Sequence, residues 1–347
     1  MLVRHYQGAA LLRDKLTELV ELERILQLAG DRAEVRVVQE VECWGNRLPV
    51  YAITLGNPSP DVPAIGFFGG VHGLERIGAE VVLAFLNSLL IRLGWDHTLH
   101  HQLESLRLVF MPLVNPGGLL QGTRANPNGV DLMRNAPVDA VERVPSWVGG
   151  QRVSPRLPWY RGRLGEPMEA ESQALCSVVD QELLSRKFSI SVDCHSGFGL
   201  SDRLWFPFAH TRQPFHHLAE MHALNEIFQT THSHNQYIFE PQSLQYLTHG
   251  DLWDYLYLRS RQNPDRIFLP LTLEMGSWLW IKKNPRQLFS RHGFFNPLIE
   301  HRQQRVLRRH MGLLDFMARA ACSAPSWLPI DEPQRRQQHV QALQQWY

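Results

Sequence analysis

The sequence contains no Cys-x-x-Cys pair; its four cysteines, Cys43, Cys176, Cys194 and Cys322, are scattered over 347 residues. A zinc ribbon and a thioredoxin-type redox motif are excluded, and a disulfide framework is not expected. Long hydrophobic runs are also missing. No segment approaches the ~20 apolar residues that cross a bilayer. The opening stretch MLVRHYQGAALLRDKL is interrupted by Arg4, Arg13, Asp14 and Lys15, where a signal peptide needs an unbroken apolar core. A cytoplasmic protein with no membrane partner is therefore the expectation. Neither sign of charge dominates: 35 Lys and Arg against 34 Asp and Glu leave +1, which offers no global field for nucleic acid. Lysine is scarce (Lys15, Lys187, Lys282 and Lys283), and no function follows from that. What the chain does have is 44% hydrophobic and 20% charged residues, enough for a sizeable core. It also has 17 histidines, the commonest metal-ligating side chain.

Helical spacing of Leu12, Leu16, Leu19, Leu22 and Leu26 predicts an amphipathic helix over about 9–28. Alternating segments at 34–43 and 48–55, separated by Gly45-Asn46, read as a hairpin. A buried strand at 63–68, a helix at 75–91 and a strand at 106–111 follow. This alternation predicts an α/β fold: a single mixed, mostly parallel central sheet with helices on both faces. Residues 115–165 are rich in Gly, Pro, Asn and Arg without regular period, and irregular segments of that length are usually functional. Regularity resumes with a helix at 169–185, a strand at 188–194, helices at 214–230 and 250–259, a strand at 267–274 and a long helix at 297–320. Residues 323–347 read as a Pro-bearing linker and a Gln-rich tail, which leaves one domain over 1–322.

In open α/β sheets, ligands bind beyond the carboxyl ends of the strands. Four such ends carry unusual residues: Val71-His72-Gly73-Leu74-Glu75, Asn115-Pro-Gly-Gly118, Asp193-Cys194-His195-Ser196-Gly197 and Leu273-Glu274-Met275-Gly276. His72 and Glu75, at i and i+3, share one face of a helical turn and can reach a single ion. His195 adds a second imidazole, and two His with one carboxylate is the ligand set of a catalytic zinc. Glu274 would then serve as the base, and Asp193, two residues before His195, would orient that ring. Each residue also has a plainer reading. Glu75 suits a helix N-terminus, His195 or Glu274 alone would be ordinary polar residues, and Asp193 could pair with an arginine. Their co-occurrence favours the metal. In the irregular segment, Arg124 and Arg134 suit the polarising of a carbonyl and the clamping of a carboxylate. Asp131 suits the outer N–H of a ligand histidine. The plainer reading here is a solvated Arg/Asn loop.

The ordered set of motifs resembles the zinc carboxypeptidases. It runs from His72-x-x-Glu75 through Asn115-Pro-Gly-Gly, Thr-Arg124 and Gly-Val-Asp131-Leu-Met-Arg134-Asn to His195-Ser-Gly and Leu-Glu274. The carboxypeptidase A-like superfamily also includes succinylglutamate desuccinylase and aspartoacylase. Carboxypeptidase A itself uses a His₂Glu zinc site. The resemblance spans roughly residues 66–276. It implies His72, Glu75 and His195 as ligands of one Zn²⁺ per chain, with Glu274 as catalytic base. It further implies Arg124 on the substrate carbonyl, Arg134 on the terminal carboxylate and Asp131 behind the first zinc histidine. Tyr246 matches the family's mobile substrate-binding tyrosine, with Tyr255 and Tyr257 as competitors. One departure stands out: Met133 occupies the place of a usual Asn, so one contact to a terminal carboxylate is lost.

Other chemistries lack their signatures. There is no Gly-x-Ser-x-Gly, no Gly-x-x-x-x-Gly-Lys-[Ser/Thr], no Gly-x-Gly-x-x-Gly and no His-Glu-x-x-His. The basic stretch 302–309 reads as a solvated helix face. The groups His97/His100/His101, His216/His217/His222 and His232/His234 are expected at the surface, since none lies at a strand end. The leading expectation is a zinc metallocarboxypeptidase acting on peptides. A zinc deacylase of small N-acyl amino acids and a non-catalytic zinc-binding protein are its competitors.

Overall fold

In the computed structural model, which describes residues 14–347 apart from Asn235, Arg291 and Ile330, Leu19, Leu22 and Ile25 form the buried face of helix α1 (Thr17–Ala29). Residues 9–13 of the expected first helix, and most of the segment weighed as a signal peptide, lie outside the described residues. The hairpin follows as strands β1 (Glu34–Cys43) and β2 (Asn46–Gly56), then β3 (Ala64–Gly69), helix α2 (Arg76–Arg92), helix α3 (His97–Glu104) and β4 (Arg107–Met111). A short helix α4 (Pro116–Gln121) opens the irregular segment, which closes at α5 (Ala170–Glu182). Strands β5 (Phe188–Ser196) and β6 (Arg203–Phe206) precede α6 (Leu218–Thr231), β7 (Ile238–Pro241), α7 (Leu252–Ser260) and β8 (Ile267–Met275). Helices α8 (Trp278–Lys283), α9 (Glu300–Cys322) and α10 (Glu332–Trp346) complete the chain.

The strands form one eight-stranded mixed sheet in the order β1-β2-β4-β3-β5-β8-β6-β7, with β4, β3, β5 and β8 mutually parallel at its centre. Side chains of β3 alternate between the two faces, as the pleat requires. Phe67 packs edge-on against Phe85 of α2, while Phe68 packs against Trp253 of α7. Helices therefore cover both faces, and β3, β4 and β5 are buried throughout. Helix α2 lies very close to β5 because residue 78 is glycine: a Cβ there would fall 2.1 Å from the carbonyl oxygen of Cys194. That contact sets the distance between the start of α2 and the end of β5.

Sequence periodicity did not reveal α3, α4, β6 or β7, each of eight residues or fewer. Residues 323–347, expected as linker and tail, contain α10. It packs along α6, its Trp346 ring lies 4.7 Å from that of Phe206, and Trp346 Nε1 donates to the Phe239 carbonyl at 2.8 Å.

Candidate metal centre and active site

Beyond β3 the chain turns through His72, and Glu75 begins α2. Asn115 grips this turn from the next strand end. Its Nδ2 donates to the Val71 carbonyl at 3.1 Å, and its Oδ1 caps α4 by accepting from Gly118 N at 2.8 Å. At the end of β5, His195 points to the same spot. His72 Nδ1 lies 2.9 Å from Glu75 Oε1, His195 Nδ1 lies 3.0 Å from Glu75 Oε2, and the two Nδ1 atoms are 3.2 Å apart. All three side chains are buried, and they form the metal-competent group found among the described residues.

The outer nitrogens explain the inner ones. His72 Nε2 meets Asp131 Oδ1 at 3.0 Å and His195 Nε2 meets Asp193 Oδ2 at 2.7 Å. With each Nε2–H donated to a carboxylate, both Nδ1 lone pairs turn inward. Trp253 Nε1 holds Asp193 Oδ2 at 2.8 Å, and Met133 N and Arg124 Nε hold Asp131 at 3.1 and 2.7 Å. The spacing shows that the donors fit a zinc ion. An ion bound at the usual 2.0–2.1 Å has tetrahedral ligand edges of about 3.3 Å, near the spacings here. Burial opposes a charge on His195, but Asp193 and Glu75 outweigh it and hold its pKa well above the ordinary value. Positive charge is favoured at this point.

Register places the remaining groups. His195 of β5 and Glu274 of β8 are direct partners, so their side chains stand abreast on one face. Phe198 N donates to Glu274 Oε1 at 3.0 Å. Burial, reinforced by the nearby Glu75 charge, pushes the Glu274 carboxyl up to about 8. A cavity of about 820 Å³ opens over these residues and takes in Arg124, Met133, Arg134 and Tyr246. Arg124 reaches Glu75 Oε1 at 3.2 Å as well as Asp131. Arg134 is buried, with Nη1 on the Met133 carbonyl at 3.2 Å. Tyr246 is half-buried among Phe198 and Trp205, whereas Tyr257 is fully buried in the core and Tyr255 is absent from the cavity wall.

All nine residues singled out from the sequence thus lie at this site or directly behind it. Sequence reasoning missed Phe198, Trp253, Trp205 and Asp251. Phe198 closely follows the His195 motif and was within reach; Trp253 and Trp205 act through pairings that only the folded chain creates, and Asp251 reaches the cavity wall because Gly250 closely approaches Arg134. The surface expectation for histidine fails at His217 and His222. His217 packs against Tyr257 of α7, and His222 packs against Trp346 of α10, which lies along α6. His97, His100 and His101 are exposed as expected.

Comparison with known proteins places this geometry. The chain is similar to carboxypeptidase SOL1 of Arabidopsis thaliana, with 32% identity over 26% of this chain and 19% of the relative. It is similar to carboxypeptidase E of Caenorhabditis elegans, with 26% identity over 56% of this chain and 42% of the relative. The chain therefore spans less than half the length of these relatives. Among solved structures, thrombin activatable fibrinolysis inhibitor superposes with a TM-score of 0.64 at 17% identity, covering 87% of this chain and 72% of that one, which shows a shared fold. Residues 36–278 match the family model described as zinc carboxypeptidase, and on that match the chain belongs to the zinc carboxypeptidase family.

Proposed function

We propose that the protein is a zinc-dependent carboxypeptidase that hydrolyses the C-terminal amide bond of a peptide, holding one zinc ion at His72, Glu75 and His195. The observation that carries this reading is the juxtaposition of that donor triangle with Glu274, aligned in register beside His195, and Arg134 on the wall of the same cavity. When bound, the zinc supplies Lewis acidity that polarises the scissile carbonyl and makes water acidic near neutral pH. Glu274 takes a proton from the attacking water and returns it to the leaving amine, a role that its place abreast of His195 allows. Arg124, fixed by Asp131 and Glu75, presents its charge where the carbonyl oxygen becomes anionic. Arg134 clamps the terminal carboxylate, and Tyr246 closes on the bound residue from the aromatic side of the cavity. Asp131 and Asp193 keep the histidines oriented. We place the protein in the cytoplasm, a setting compatible with its four free cysteines.

A second reading has one observation in its favour. Met133 lines the cavity beside Arg134, and its thioether offers no donor to a carboxylate. That departure motivates a zinc deacylase of small N-acyl amino acids as the alternative. A ladder of blocked peptides assayed beside N-acyl amino acids decides between the two. Release of C-terminal residues from peptides supports the first reading, and exclusive deacylation replaces it with the second.

A further inference from the structure

Helix α2 begins without a cap of its own. Glu75 stands at its N-cap, where a side-chain oxygen ordinarily accepts from the second or third helical N–H, yet it makes no such bond. Its carboxylate is turned the other way. Oε1 lies 2.9 Å from His72 Nδ1, and Oε2 lies 3.0 Å from both His195 Nδ1 and Ser196 N. A carboxylate committed to that triangle cannot also cap the helix. The N–H of Ile77, a buried residue at the second helical position, therefore needs an acceptor from elsewhere.

That acceptor comes from 219 residues further along the chain. The buried Asn296 accepts from Ile77 N at 2.9 Å through Oδ1, and its Nδ2 donates to the Leu74 carbonyl at 2.8 Å and the His292 carbonyl at 2.9 Å. One side-chain amide thus holds the residue before Glu75 and the second residue after it. Asn296 is itself fixed by the buried Gln287, whose Nε2 donates to the carbonyls of Gly293 at 2.8 Å and Asn296 at 3.0 Å. The neighbouring residue reaches the other ligand-bearing element. Ser196, one residue beyond His195, donates its hydroxyl to the Phe295 carbonyl at 2.7 Å. Residues 295 and 296 therefore clasp the start of α2 and the end of β5 together.

Resting on the zinc reading above, we infer that Asn296 is a positioning residue for the metal centre: it caps α2 in place of Glu75 and so leaves the Glu75 carboxylate facing His72 and His195. Without Asn296, the Ile77 N–H and the Leu74 carbonyl are buried and unpaired. The carboxylate at the N-cap is then drawn back towards its own helix, away from the metal.

The test separates a displaced ligand from a loosened fold. Wild type, Asn296→Ala, Asn296→Asp and Trp346→Ala are titrated with zinc against a chelator, and the metal-free proteins are melted. Asn296→Ala is expected to bind zinc about tenfold more weakly. Asn296→Asp keeps an Oδ1 acceptor that caps as well as Asn, and its zinc affinity is expected within about threefold of the wild type. Trp346→Ala, which loosens the contacts of α10 with β6 and β7, is expected to melt lower with its zinc affinity unchanged. An unchanged zinc affinity in Asn296→Ala overturns the inference, whatever its melting temperature. A loss of about tenfold or more in Asn296→Asp also overturns it, even where the alanine variant does not fold, because capping would not be what Asn296 supplies. Failure of the underlying reading looks different: the wild type itself takes no zinc from the chelator, and the inference falls with it.

Discussion

Asp131 shows how one residue can serve a metal, a loop and an arginine together. Oδ1 accepts from both His72 Nε2 and Met133 N, and Oδ2 accepts from Arg124 Nε, all at 2.7–3.1 Å. The adjacent arginine and histidine offset the cost of its burial and hold its carboxyl well below the usual carboxylate range. Replacing it with Asn keeps the shape and one acceptor but removes the charge that makes His72 a strong donor. Zinc affinity is expected to fall about 10- to 100-fold, as for other partners of ligand histidines. Competition against a chelator measures this, and an unchanged affinity would separate Asp131 from the metal. At this scale the sequence was most informative, because His72, Glu75, His195 and Glu274 lie at strand ends where a core role is implausible. Trp253 was not readable: its donation to Asp193 depends on how α7 crosses β5.

Between elements, α2 and β5 together set the donor triangle, since one carries Glu75 and the other His195. Their separation is limited by Gly78 against Cys194. Gly78→Ala is expected to cost about 1–3 kcal/mol through overpacking and to weaken zinc binding as the helix start is displaced. A melting temperature and zinc affinity both unchanged would show that the contact has slack. A second element-level expectation concerns α9. His310 is buried there, with Nδ1 2.8 Å from the Tyr237 hydroxyl, and burial drives its pKa down to about 4. The unfolded chain binds that proton near 6.5, so between pH 6.5 and 4 the unfolded state holds more protons. The stabilisation from neutral His310 is fully present above pH 6.5 and is lost as pH falls towards 4, up to about 3 kcal/mol. Urea unfolding at pH 7.5 and 5 should show a smaller acid loss in His310→Gln than in the wild type; equal losses contradict this. The long elements were readable because their apolar period repeats several times. Strands of four residues such as β6 give too little period, which is why Trp205 emerged only from its pairing with Thr272.

For the whole molecule, the C-terminal helix changes how much of the chain counts as one unit. Within α10 only Ala342 and Trp346 are buried among polar and glutamine-rich neighbours, a pattern too sparse to distinguish from a tail. Yet Trp346 closes the core over Phe206 and hydrogen-bonds to β7. Trp346→Ala is expected to destabilise the fold by about 3–5 kcal/mol, as for other buried tryptophans. A protein ending at residue 322 should melt lower still. An unchanged melting curve for either would return residues 323–347 to the role of an independent tail. A single mixed sheet with helices on both faces followed from the strand-helix-strand alternation of the first half. The arrangement of β6, β7 and β8 did not, because two of those strands are short and their order in space departs from their order in the chain. The claim on which everything else depends is that His72, Glu75 and His195 hold zinc for a reaction in which Glu274 moves the proton. It is tested most directly by measuring zinc content and C-terminal residue release side by side for the wild type and Glu274→Gln. About one zinc per chain is expected in both proteins, with turnover reduced by about 10²-fold or more in the variant. A variant that retains its zinc and full turnover would contradict it.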